Sequence, residues 1–122
     1  MKKKKIVVAD DNESNLKLAL RFLNDEFEVL TATNGKEAID LITLYKPNLV
    51  LMDLDMPIIN GLDATRELKK NESTKDIPII ALTAHALSGD RTKALEAGCD
   101  AFEAKPVDYN ILINKIFNLI DK

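Results

Sequence analysis

Apolar and polar positions along the chain follow two periods in alternation. The runs Ile6–Ala9, Val29–Ala32, Leu49–Met52, Ile79–Leu82 and Ala101–Ala104 are short and mostly β-branched or otherwise apolar, the pattern of strands covered on both faces of a parallel sheet. Between them the spacing becomes helical. Leu16, Ala19, Leu20 and Leu23 form one stripe, and Ala38, Leu41, Ile42 and Tyr45 repeat it at i, i+3, i+4 and i+7. Leu62, Thr65 and Leu68 predict a third helix, and Leu87, Ala94 and Leu95 a fourth. Ile113, Ile116, Phe117 and Ile120 predict a fifth. Leu112 and Leu119 widen that last stripe, which reads either as a wide core contact or as an apolar docking surface.

Boundary residues agree with these elements. Asn34 has Glu37 three residues on, Asn60 has Asp63, and Ser88 and Asp108 stand where helix starts are expected. Gly98 closes the fourth helix, while Pro47 and Pro78 stand just before strands three and four, where no ladder hydrogen bond is lost. Five strand–helix units in series predict an α/β domain over residues 1–122, with a parallel sheet, right-handed crossovers and helices on both faces. In such a sheet ligands bind beyond the carboxyl ends of the strands, so the residue after each apolar run is the one to inspect.

Composition narrows the function. The chain has 122 residues, 46% hydrophobic and 30% charged, one ordinary globular domain. The longest stretch without a formal charge, Ile77–Gly89, falls well short of the ~18 apolar residues of a membrane span. Lys2–Lys5 lead into sequence that lacks the apolar core of a secretory signal. These four lysines are read as a solvated lead-in; without them thirteen basic residues face twenty acidic ones, a balance of −7. So acidic a body does not suit a nucleic-acid backbone. Cys99 is the only cysteine, which fits a reducing cytoplasm.

Asp10 and Asp11 follow strand one, Asp53 follows strand three, Thr83 strand four, and Lys105 with Pro106 strand five. Strand two ends in Thr33-Asn34-Gly35, a turn and helix cap. Any single aspartate there reads most simply as a cap, but three carboxylates at neighbouring strand ends do not. At 4 Å and an effective dielectric of 20 each pair repels by about 4 kcal/mol, so three close pairs approach a domain's whole stability. A positive partner is required. Lys105 can offset part of the repulsion, and oxygen ligands of this kind are what Mg²⁺ takes. Zinc would want Cys or His, and Cys99 and His85 have no ligand spacing. A cation beside a carboxylate, a lysine and a threonine hydroxyl is a set of parts for phosphoryl transfer, with Asp53, alone at its strand end, as the nucleophile.

In Val7-Val8-Ala9-Asp10-Asp11-Asn12, Leu51-Met52-Asp53-Leu54-Asp55-Met56-Pro57 with Asn60-Gly61, Leu82-Thr83-Ala84, Ala97-Gly98-Cys99-Asp100-Ala101 and Phe102-Glu103-Ala104-Lys105-Pro106, the chain resembles the receiver domains of two-component response regulators. The resemblance covers nearly the whole chain. It implies a flavodoxin-like sheet of order 2-1-3-4-5. It also implies a phosphoacceptor Asp53 charged by a histidine kinase or histidine phosphotransfer protein, and a Mg²⁺ site (Mn²⁺ able to substitute) made by Asp10, Asp11, Asp53 and the backbone carbonyl of Asp55. Thr83 would hydrogen-bond the phosphoryl group, Lys105 would pair with it, and Phe102 matches the switch aromatic. The Lys105–Pro106 bond would be cis. Asp55 and His85 take the positions that flank the mouth of the site, and a contact between them is expected to tune the lifetime of the phosphorylated state. The output expected is a change in the face of helix four, strand five and helix five, read by a downstream effector. The protein would be a cytoplasmic switch with slow self-dephosphorylation, free of direct nucleic-acid or membrane contact, and not a turnover enzyme.

Thr83-Ala84-His85-Ala86-Leu87-Ser88-Gly89-Asp90 looks more like receivers of hybrid sensor kinases or single-domain relay proteins than those of transcription factors. The chain ends at Asp121-Lys122, right after the fifth helix, so no output domain is expected within it, and it reads either as a stand-alone receiver acting through partners or as a piece of a larger protein. Two competing readings stand beside this one. Asp53-Leu54-Asp55 also looks like the acidic pair of haloacid-dehalogenase-type phosphatases, although that pair follows the first strand and usually comes with a cap. The other is an unphosphorylated, receiver-like interaction module.

Overall fold

The computed structural model describes residues 3–86 and 89–120. Five strands, β1 (Lys4–Ala9), β2 (Phe27–Ala32), β3 (Leu49–Asp53), β4 (Ile79–Thr83) and β5 (Ala101–Ala104), alternate with five helices, α1 (Glu13–Leu23), α2 (Gly35–Tyr45), α3 (Gly61–Lys70), α4 (Asp90–Ala97) and α5 (Tyr109–Ile120). All strand pairs are parallel, in the order β2-β1-β3-β4-β5. This is the predicted flavodoxin-like arrangement, with β1 inside the sheet.

Alternation along each strand divides the core in two. Ile6 and Val8 of β1, Leu49 and Leu51 of β3, and Ile80 and Leu82 of β4 pack against Leu16, Ala19 and Leu23 of α1 and Leu112 and Ile116 of α5. Their neighbours Val7, Ala9, Val50, Met52, Ile79 and Ala81 face Ala38, Ile42, Ala64, Leu68 and Ala94 on α2, α3 and α4. The strands are therefore apolar on both faces, and a period-2 alternation of burial never develops in β3 or β4.

The caps form locally. Asn34 Oδ1 accepts from the Glu37 amide at 2.8 Å, and Asn60 Oδ1 from the Asp63 amide at 2.9 Å. Asp108 Oδ1 accepts from the amides of Asn110 and Ile111. Gly98, at φ 110°, closes α4.

Burial refines the predicted stripes of three helices. In α4 the buried residues are Ala94 and Ala97, whereas Leu95 is 49% exposed; Leu87 and the expected cap Ser88 lie outside the described residues. The helix begins instead after Gly89, at φ 84° and with no side-chain cap. In α5, Leu112 is fully buried and Leu119 packs against the core. Leu112 therefore widens the core contact, and Leu119 lies half-buried at its edge. Tyr45, counted in the α2 stripe, is 45% exposed at the last turn.

Candidate functional site

The carboxyl ends of β1, β3, β4 and β5 lie side by side, and their polar residues meet there. Asp10, held by its amide to the Ala32 carbonyl at 3.0 Å, is 2% exposed; Asp53, the last residue of β3, is 3% exposed. Asp11 is exposed. One carboxylate oxygen of each of Asp10, Asp11 and Asp53 lies within 4.8 Å of the others. Clustered carboxylate oxygens, two of them on buried groups, are the hard donors that Mg²⁺ takes. Among the described residues no other group of three acidic, His or Cys side chains has this geometry.

Each acid is fixed by donors. Asp10 Oδ1 accepts from the Asn12 amide at 2.9 Å, and Asp10 Oδ2 accepts from Asn15 Nδ2 at 3.2 Å. Asp53 Oδ1 accepts from the Asp55 amide at 3.1 Å. Lys105 Nζ stands between the two buried acids, 2.7 Å from Asp10 Oδ2 and 3.3 Å from Asp53 Oδ2. The Lys105–Pro106 peptide is cis, and the Lys105 amide donates to the Thr83 carbonyl at 2.7 Å. Behind Asp53, α3 starts so close to β3 that a Cβ on Gly61 would lie 2.1 Å from the Asp53 carbonyl oxygen. No side chain fits there.

The electrostatics follow from burial. Desolvation, aided by the Asp10 charge, raises the Asp53 carboxyl from 3.8 to about 6, against the opposing Asp55 amide and Lys105 ammonium. Burial pulls the Lys105 ammonium down, but its hydrogen bond to Asp10 and the charges of Asp53 and Asp10 more than offset this, so its pKa is raised. Burial and the Asp10 charge likewise raise the Tyr109 phenol.

Thr83, fully buried, donates its hydroxyl to Asp90 Oδ2 at 2.7 Å and accepts from the His85 amide at 3.0 Å. His85 and Asp55 are both exposed and no hydrogen bond or ion pair joins them, while the His85 backbone amide donates to the Thr83 hydroxyl. Phe102 is half-buried, packed on the α2–α4 side of the sheet, and Lys115 of α5 donates to its carbonyl at 3.1 Å.

Several residues at this site carry no marked signal in the sequence. Asn12 caps α1 by accepting from the Asn15 amide, an assignment open to a cap search. Asn15, one turn into α1, reaches back to Asp10, and Tyr109 stacks on Phe22 at 4.5 Å. Asp90 comes to Thr83 only through the path of the β4–α4 loop.

Comparison with known proteins agrees with this geometry. The model of the response regulator receiver domain family matches residues 6–117. The chain is similar to the polar-differentiation response regulator DivK of Brucella anthropi, 36% identical over 114 residues and 93% of each chain. Among solved structures it resembles the receiver domain of the sensor histidine kinase PA1611 of Pseudomonas aeruginosa, which has a magnesium ion in its active site cleft. That match has 31% identity and a TM-score of 0.92, covering 98% of this chain and 99% of the other. It also resembles the receiver domain of the Saccharomyces cerevisiae response regulator Ssk1, solved with the histidine phosphotransfer protein Ypd1. There the identity is 29% and the TM-score 0.87, with 97% and 89% of the chains covered.

Proposed function

Because the chain belongs to the response regulator receiver domain family, we propose that it is a phosphoacceptor switch in which Asp53 takes a phosphoryl group from a phosphohistidine of a kinase or phosphotransfer protein. A carboxylate oxygen of Asp53 forms the new O–P bond as the donor's P–N bond breaks, and the electron pair leaves on the imidazole. The observation that carries this reading is the meeting of Asp10, Asp11 and Asp53 oxygens within 4.8 Å, with Lys105 across the two buried acids.

Asp10, Asp11 and Asp53, with the backbone carbonyl of Asp55, are the groups to hold Mg²⁺ or, in its place, Mn²⁺. When bound, the ion neutralises charge on the phosphoryl oxygens. Lys105 pairs with the transferred group and Thr83 donates to it, the two in separate directions from β5 and β4. Thr83 moving inward leaves room for Phe102 to turn, which resets the α4–β5–α5 face toward a downstream effector. Phe102→Ala tests that coupling: it should abolish the amide shift changes that beryllofluoride causes in α4 and α5 of the wild type, and shift changes that persist in the variant would refute the route through Phe102.

The same reading places the protein in the cytoplasm, in keeping with the buried, unpaired Cys99; no described helix is long and apolar enough to cross a membrane. It labels once and hydrolyses its own phosphoryl group slowly, in contrast to the sustained turnover of a haloacid-dehalogenase-type phosphatase, a reading that family membership sets aside. Mass spectrometry after treatment with acetyl phosphate and Mg²⁺ decides the matter. Wild type should gain one phosphoryl mass and Asp53→Asn none; an unlabelled wild type would leave the interaction-module reading in its place.

A further inference from the structure

The Thr83 hydroxyl has one proton to donate, and here it is committed. Its acceptor is Asp90 Oδ2 at 2.7 Å, while its lone pairs take the His85 amide at 3.0 Å. Thr83 is fully buried and Asp90 half-buried, and a hydrogen bond to a carboxylate in such surroundings is among the stronger kinds.

Asp90 is the first residue of α4, an eight-residue helix that buries only Ala94 and Ala97 and starts at a left-handed Gly89 without a side-chain cap. So little buried surface holds such a helix weakly. Among the described residues, the Thr83–Asp90 bond is the only side-chain hydrogen bond from α4 to the rest of the domain. One contact therefore withholds the Thr83 proton and anchors the start of α4.

We propose that Asp90 is a positioning residue that latches Thr83 in the resting state, so that the phosphoryl group on Asp53 must take the Thr83 proton from Asp90 and in doing so unfastens the N-terminus of α4. The inference rests on the phosphoacceptor reading given above and deepens it: it names the competitor for Thr83. The two acceptors cannot share one proton, so the stronger the latch, the weaker the binding of a phosphoryl group. The released Asp90 stays at the helix start, where its charge favours the exposed amides of the first turn, and α4 keeps its helical form while losing its tether to β4.

Beryllofluoride in the presence of Mg²⁺ is the probe, with bound fraction followed by NMR in wild type, Asp90→Asn, Asp90→Ala, and each of these with Thr83→Ala. The half-saturating beryllofluoride concentration should fall about tenfold in Asp90→Ala and by less in Asp90→Asn, whose amide oxygen still accepts from Thr83. Both effects should vanish in the Thr83→Ala background. A gain that persists without Thr83 would show that Asp90 acts only as a nearby negative charge, and an Asp90→Ala value within twofold of wild type would overturn the latch. The Thr83 side-chain couplings, measured without any phosphoryl mimic, give a second readout. One fixed χ1 rotamer in wild type that becomes averaged in Asp90→Ala supports the latch, and averaging in wild type overturns it. Since the couplings do not depend on phosphorylation, a wild type that fails to bind beryllofluoride overturns the phosphoacceptor reading while the rotamer result still decides whether Asp90 holds Thr83.

Discussion

Lys105 Nζ lies 2.7 Å from Asp10 Oδ2, nearer to this acid than to the proposed phosphoacceptor. On the Mg²⁺ site proposed above, this ammonium already offsets charge on one of the ion's carboxylates and is expected to compete with it for Asp10. Lys105→Met removes the competitor and leaves two buried carboxylates uncompensated. Breaking one side of a buried pair costs about 3 kcal/mol, so the variant should lose stability of that order in urea denaturation with EDTA. It should recover a larger share than wild type on adding Mg²⁺ and bind Mg²⁺ more tightly by titration calorimetry. Weaker Mg²⁺ affinity in the variant would show that Lys105 organises the acids rather than competing for them.

The Asp53 carboxyl, raised from 3.8 to about 6 by burial and by Asp10, ties stability to pH. Its folded form holds a proton more firmly than the unfolded chain does. The stability from that proton is therefore full below about pH 4 and is lost as pH rises toward and through 6, up to about 3 kcal/mol for a shift of this size. In EDTA this group makes the domain less stable as pH climbs from 4 to 7. Asp53→Asn should remove that component and be more stable than wild type at pH 7.5, with the two curves converging near pH 4. Chemical denaturation across this range checks the sign; parallel curves would mean that Asp53 is not the strained acid.

Ile58 occupies the left-handed region at φ 71°, in a turn closed by the Ile59 amide on the Pro57 carbonyl at 2.8 Å. A β-branched residue is strained there, and at 75% exposure packing returns little. Ile58→Gly, which has no Cβ to strain at positive φ, should stabilise the domain by about 1 kcal/mol, raising Tm by about 4 °C. A lower Tm would show that the exposed Ile58 side chain makes a contact worth more than the strain.

His85 reaches Thr83 through its backbone amide, and its side chain is exposed without a bond to Asp55. If the His85 ring governs entry of water to the phosphorylated Asp53, His85→Ala should change the phosphoryl lifetime by more than about twofold, that is by over ~0.4 kcal/mol in barrier. Decay of ³²P-labelled protein measures it, and a lifetime inside that range removes the ring from the mechanism.

The strands were legible in the sequence because a buried parallel strand needs an apolar run whatever surrounds it; each predicted run lies inside an observed strand. The helices α1, α2, α3 and α5 were legible for a similar reason, since stripe and cap residues act within a few positions of one another. The start of α4 was not. Its buried face consists of two alanines, which leave almost no periodic signal, and Leu95, the residue that suggested a face, points to solvent. Leu112 and Leu119 left two readings open, and burial decides only Leu112: apolar periodicity gives the width of a stripe but not the breadth of the surface waiting for it.

At the site, local sequence determined which chemical groups stand at the strand ends, because the residue that ends an apolar run is fixed by chain position. Distances between those groups were settled only when the sheet placed β1 beside β3 and β3 beside β4, bringing Asp10, Asp53 and Thr83 together from far apart in the chain. The 95-residue separation of Lys105 from Asp10 and the Thr83–Asp90 bond arise the same way. A hydrogen bond depends on separations of a few tenths of an ångström, and no periodicity along the chain encodes a separation across it.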